Sequence, residues 1–222
     1  MWTLRLRRHL YARRVAGTAL QTCWRTPLPS TSSDWRQVSF LAVDAEMSSL
    51  DVDEGELLSV GWVQVDGGAI ALSSARHYLI KAEKSVGQSA TIHSLRDCEL
   101  TGAETGEQVL QRFLQAAAGR VLVFHNAALD MGFLDRVSRQ AFDAPILMPC
   151  VDTLKLEQAL LTRGETPIRP GDLRLQACRD RYNLPPYPAH NALIDALATA
   201  ELLVAHAAHR SGGKSFPLAR LL

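Results

Sequence analysis

A chain of 222 residues, 47% hydrophobic and 21% charged, holds enough apolar material for an ordinary core and does not read as disordered. Its net charge of +1 is unevenly spread: residues 1–36 carry seven Arg and one acid, Asp34, which leaves 17 basic and 22 acidic residues, a net of −5, in 37–222. A broad polyanion-binding face on the body is therefore not indicated, and any grip on nucleic acid must be local, metal-assisted or lodged in the arm.

The first 33 residues are Arg-rich and nearly acid-free, as organellar transit peptides are, but their Arg and apolar residues intermingle on a helical wheel. They read instead as a helical arm that packs on the domain or steers a polyanion. "TPLPSTSSD" (26–34) is a linker rich in Pro and Ser. Strands are predicted at 38–46, 57–65 and 69–80, the first two separated by "DVDEGE" and the next turn being "DGG". A helix is predicted at 105–118, with Val109, Leu110, Phe113 and Leu114 at helical spacing. A short buried strand at 120–124 leads into a helix at about 128–141, and "MPCVDTLKLEQALL" gives a further short strand and helix. One helix is expected over 171–184, followed by an extended "PPYP" loop. The last helix, 191–209, carries a stripe of Ala192, Ala196, Ala200 and Leu203. The plan is thus a basic arm and linker (1–36), an α/β domain with a mixed sheet (37–210) and a short tail (211–222). No uninterrupted apolar run approaches the ~18–20 residues of a membrane span. Cys23, Cys98, Cys150 and Cys178 lack metal-ligand spacing and read as reduced thiols of a cytoplasmic protein.

"FLAVDAEM" (40–47) places two carboxylates, Asp44 and Glu46, on the same face of an apolar strand. Buried side by side they raise each other's pKa, a cost that cations can offset. Two more acids sit near helix starts, Asp130 after the 120–124 strand and Asp195 in the last helix, with His190 in the loop before it. Each of these residues alone is ordinary; the ordered set is not. His77, His206 and His209 read as surface residues.

Taken in order, "VDAEMSSLD", "FHNAALDMGFL" and "AHNALIDALATAELL" resemble the three motifs of the DEDDh exonucleases, the group that includes the epsilon proofreading subunits of bacterial replicative polymerases. The resemblance runs from about Phe40 to His209, and His-x4-Asp selects the histidine branch. It implies an RNase H-like α/β fold, a five-stranded mixed sheet flanked by helices, and a 3′→5′ exonuclease that hydrolyses phosphodiesters with two divalent cations, Mg²⁺ or Mn²⁺. By resemblance Asp44 bridges the two ions, Glu46 and Asp195 hold the one carrying the attacking water, Asp130 supports the second, and His190 is the general base. Met47, His93, Asn126 and Phe133 are the implied substrate contacts. Single-stranded DNA 3′ ends are the favoured partner, ahead of RNA, and no membrane or identifiable polymerase partner is indicated. The chain departs from the family at Met47, Ser48, Ser49 and Leu50, where relatives carry Thr-Thr-Gly, and at Leu129, where Phe is common. A catalytically silent nucleic-acid-binding module is the rival reading from another class.

Overall fold

The computed structural model describes residues 2–81, 103–164, 167–188 and 190–222. Two short helices, α1 (Trp2–Tyr11) and α2 (Ala19–Arg25), precede the strands β1 (Phe40–Met47), β2 (Leu57–Asp66) and β3 (Ala69–Leu79). Then come α3 (Gly106–Ala117), β4 (Val121–Phe124), α4 (Ala127–Phe142), β5 (Cys150–Asp152), α5 (Thr153–Arg163), α6 (Leu175–Asp180) and α7 (Ala192–Ser211). Among the described residues the strands form one mixed sheet of order β3-β2-β1-β4-β5. β2 runs antiparallel to both β1 and β3, while β1, β4 and β5 are mutually parallel.

The central strand explains the two cores. Alternation along β1 sends Leu41, Val43, Ala45 and Met47 to one face, where they join Phe113 and Leu114 of α3 and Phe133 and Leu134 of α4. Phe40 and Ala42 point to the other face and meet Ala200, Leu203 and Ala207 of α7. Both faces being covered, β1 and β4 read as near-continuous apolar runs. α7 is long and apolar enough to cross a membrane by length and composition, but its small-residue stripe is buried against β1 and β2. It is a core helix. α3 opens with a capping box in which Thr105 and Gln108 each satisfy the other's backbone N–H.

Three regions differ from the sequence expectation. The helix predicted over 171–184 is only Leu175–Asp180; Asn183, in the left-handed region at φ 54°, ends it while Arg179 and Arg181 turn inward to acids. His206 is not on the surface. It is 1% exposed and its Nδ1 donates to Glu157 Oε1 at 2.8 Å, locking α5 to α7. Burial alone would raise the Glu157 carboxyl, but hydrogen bonds from His206, Tyr182 and Arg181 hold it below its usual range. The expected surface residues His77 and His209 are exposed. Finally, the last residues are core: Phe216, Leu218 and Leu221 are buried beside Trp35 and Val38, and Asp34 Oδ2 accepts from Phe216 N at 2.7 Å.

A truncated tail side chain therefore leaves a cavity under the sheet. Phe216→Ala is expected to cost about 3–5 kcal/mol of stability, measured by urea unfolding; a change below about 1 kcal/mol would show that the tail packs only loosely.

Candidate active site

Asp44 and Glu46 continue the row begun by Phe40 and Ala42, on the face that α7 covers. Across the sheet Asp44 pairs with Gly61 and Glu46 with Ser59, and the register slips by one residue between Glu46 and Met47. Such a bulge re-aims the strand end beside a site. Past it, Ser48 closes the following loop: its N–H donates to Glu56 O at 2.9 Å and its Oγ accepts from Glu56 N at 2.8 Å. A serine hydroxyl thus fastens the segment that follows the strand. Arg136 of α4 donates to Val52 O and holds the loop from outside.

Gly61 is what lets α7 reach the acids. A Cβ there would lie 2.3 Å from Leu193 N and 2.5 Å from Ala192 O, so the helix start rests directly on bare backbone. Asn191 caps α7 by accepting from Leu193 N and Ile194 N, both at 3.2 Å. Asp195, in the first turn, turns its Oδ2 to His190 N at 2.8 Å. His190 is exposed, with φ 66°, so the loop reverses sharply at this residue and its backbone is pinned by Asp195. One carboxylate oxygen from each of Asp44, Glu46 and Asp195 lies within 4.8 Å of the others.

Asp130 arrives from the opposite layer. β4 ends at Phe124, Asn126 takes a left-handed conformation at φ 75°, and α4 begins at once. In its first turn Asp130 Oδ1 accepts from Ala45 N at 3.0 Å, which ties α4 to β1 between the two acids of the strand. Asp130 is 5% exposed.

This concentration of carboxylates has an electrostatic signature. Burial, then Asp130, Asp195 and Glu46 in turn, push the Asp44 carboxyl well above the usual range. Burial pushes Asp130 up to about 7, with Glu46 and Asp152 adding to it against two backbone hydrogen bonds. Asp195 is raised by burial and by Glu46, and the His190 and Asn191 amides partly offset this. An all-oxygen donor set held this close, with Asp44 and Asp195 resisting ionisation, fits hard divalent cations such as Mg²⁺ or Mn²⁺.

Residues 41–203 match the family model described as "Exonuclease". The chain belongs to the exonuclease family, in its DnaQ-like branch with the RNase H-like fold. It is 28% identical over 176 residues to a PolC-type DNA polymerase III of Thermotoga maritima, covering 79% of this chain and 12% of that much longer protein. To the DNA polymerase III epsilon subunit of Treponema pallidum it is 28% identical over 193 residues, covering 81% of this chain and 85% of that one. A zinc-bound E. coli exonuclease I–single-stranded DNA complex superposes with a TM-score of 0.67 at 15% identity, over 80% of this chain and 42% of that one.

Within this exonuclease domain the structure brings together Asp44, Glu46, Asp195 and the His190 backbone, with Asp130 fixed on β1 beside them. The expected substrate contacts fare differently. Met47 and Phe133 are 6% and 1% exposed and lie in the apolar core, because the odd face of β1 and the inner face of α4 meet there. Neither offers the open platform expected of it. Asn126 is exposed and holds the α4 entrance through its backbone, with no side-chain cap. His93 lies outside the described residues.

Two supports escaped the sequence reading. Asp152, at the end of β5, accepts from Asn126 N, Ala127 N and Leu154 N, so one carboxylate fixes the starts of α4 and α5. Arg179, fully buried, donates to Ala198 O at 2.7 Å, Pro185 O at 2.8 Å and Glu201 Oε2 at 2.7 Å, and Tyr187 donates to Glu201 Oε1 at 2.9 Å. This fastens the Pro-rich loop to α7 just before it delivers His190. Gly61 was the one support with a visible sequence signal, a lone glycine inside a strand pattern. Gly61→Ala is expected to lift the start of α7 off the sheet, lowering kcat on a single-stranded substrate by at least about tenfold. The check is initial rates beside circular dichroism; full activity with native helix content would refute the contact's role.

Proposed function

We propose that the chain is a divalent-metal-dependent 3′→5′ exonuclease that releases nucleoside monophosphates from the 3′ ends of single-stranded DNA. The observation that carries this reading is the convergence of Asp44, Glu46 and Asp195 to within 4.8 Å at the place where the His190 loop enters α7. The single-stranded DNA named in the exonuclease I complex supports the choice of substrate.

Asp44, central among the acids, would hold both cations; Glu46 and Asp195 would hold one and Asp130 would support the other. Divalent cations seated there supply Lewis acidity to the scissile phosphate and make an attacking water easier to deprotonate. The residues supply position and proton traffic. Asp195 has two tasks: it contributes an oxygen to the acid cluster, and its Oδ2 fixes His190 N, which holds the loop that carries the imidazole at the site. As general base, the imidazole would accept the attacking water's proton. The water's oxygen then bonds to phosphorus as the bond to the 3′ oxygen of the penultimate nucleotide breaks. Leu50, 78% exposed on the loop after β1, offers the terminal base the apolar surface that Met47 and Phe133 do not.

His190→Ala is expected to leave divalent-ion binding largely intact and to cut kcat about 10²–10⁴-fold. Timed digestion of 5′-labelled DNA and RNA oligomers, with Mg²⁺ or EDTA and beside Asp44→Ala, measures this. Unchanged turnover in His190→Ala would remove the base assignment, and release that persists in EDTA would remove the metal.

A further inference from the structure

The basic residues of the arm are assembled on a built surface. α1, α2 and residues 26–31 enclose a cleft of about 870 Å³. Arg5, Arg8, His9 and Arg25 line it, and none of its lining residues is acidic. Arg8 is spent on the architecture: it donates to Leu147 O at 2.8 Å and to Trp24 O at 3.2 Å. Arg5, His9 and Arg25 are exposed, while the half-buried Trp24 and Leu28 give the wall apolar surface.

The cleft stands at the pole of the sheet away from the carboxylates. Trp24 Nε1 donates to Ile146 O at 2.6 Å, in the segment that precedes β5, and Thr26 lies against Gly119, just before β4. β4 and β5 run parallel to β1, so these are strand beginnings, whereas Asp44 and Glu46 stand near a strand end. From Phe40 to Glu46 the rise along the strand is about 20 Å at ~3.3 Å per residue. A stacked single strand advances ~3.4 Å per nucleotide and the two places lie on opposite faces of the sheet, so at least about six nucleotides separate them.

Charge decides what fits the cleft. The body from residue 37 onward has a net charge of −5, against +6 for residues 1–36, seven Arg less Asp34. A polyanion whose 3′ end enters the acidic site is repelled by most of the protein it touches and meets its compensating charge at the arm. We infer that the α1/α2 cleft is a second binding site, for the phosphodiester backbone of the same nucleic-acid strand several nucleotides upstream of the end being cut. Its Arg side chains neutralise phosphates, and Trp24 and Leu28 provide sequence-tolerant contacts to bases. The inference rests on the exonuclease reading and adds a length threshold to it.

The test compares single-stranded DNA of about 20 and about 3 nucleotides, lengths chosen to lie above and below the ~3.4 Å per nucleotide estimate. In initial-rate measurements with Mg²⁺, Arg5→Ala/Arg25→Ala is expected to raise KM for the long strand about tenfold while that for the trinucleotide moves less than about twofold. Fluorescence anisotropy of the long strand in EDTA, across a salt series, is expected to show a log–log slope shallower by about 1.4, that is ~0.7 for each of two lost contacts. The single variant Arg25→Gln gives a smaller change in the same direction should the double variant fold poorly. Equal KM changes at both lengths, no change at either, or the same loss in Arg163→Glu, an exposed site elsewhere, would overturn the cleft. So would polyglutamate of matched charge competing as well as DNA. Absence of Mg²⁺-dependent release by the unaltered chain at both lengths would sink the exonuclease reading instead, and the anisotropy series would still decide the cleft.

Discussion

The first turn of α7 lies on Gly61 with no side chain between them, and the site depends on that contact. Gly61 is the residue opposite Asp44 on the neighbouring strand. A helix start pressed onto it must carry its own first-turn acid, Asp195, to the carboxylates of β1. The same approach fixes the preceding loop, because Asn191 caps the helix and Asp195 holds the His190 amide. Farther along, Ala196, Ala200 and Leu203 keep α7 close to the sheet, since small residues let helix and strands pack without a gap. A side chain at position 61 would meet the backbone of Ala192 and Leu193, the start of the helix that carries Asp195.

Carboxylates forced together in this way are costly without positive charge, and the fold bears that cost through rigidity elsewhere. Asp130 is locked by Ala45 N, Asp152 clamps the starts of α4 and α5, and Glu157 joins α5 to α7 through His206. Arg179 is buried with its charge matched by Glu201 and with further hydrogen bonds to the Ala198 and Pro185 carbonyls, the kind of pairing that such burial requires. Each clamp removes a movement by which the acids could separate. The carboxyls of Asp44 and Asp130 are raised first by burial and then by their acidic neighbours, and divalent cations would offset both.

Much of this was legible in the residues themselves. β1, β2 and β3 begin and end where alternation stops and turn residues start, and the alanine stripe marked the buried face of α7. That Asp44, Glu46 and Asp195 come together was legible because their order and spacing resemble those of a known family. What stayed hidden depends on partners distant in sequence. His206 looks like a surface residue until Glu157, 49 residues earlier, is seen to face it. Phe133 reads equally well as a platform or a core residue, and only the packing of α4 against β1 decides. The tail "SGGKSFPLARLL" reads as loop, yet Asp34 and Trp35 draw Phe216 inside. Helix length over 171–184 was misjudged because inward-facing Arg179 and the left-handed Asn183 answer to tertiary contacts, not to local propensity.

The central claim is that Asp44, Glu46 and Asp195 form one seat for divalent cations. Anomalous diffraction at the manganese edge, from crystals of the full chain soaked in Mn²⁺ with a nucleoside monophosphate, tests it most directly. The account predicts manganese peaks among these three side chains at oxygen-ligand distances of about 2.0–2.3 Å, and their loss in Asp195→Asn crystals of unchanged fold. Manganese bound elsewhere, with these carboxylates left unligated, would contradict it.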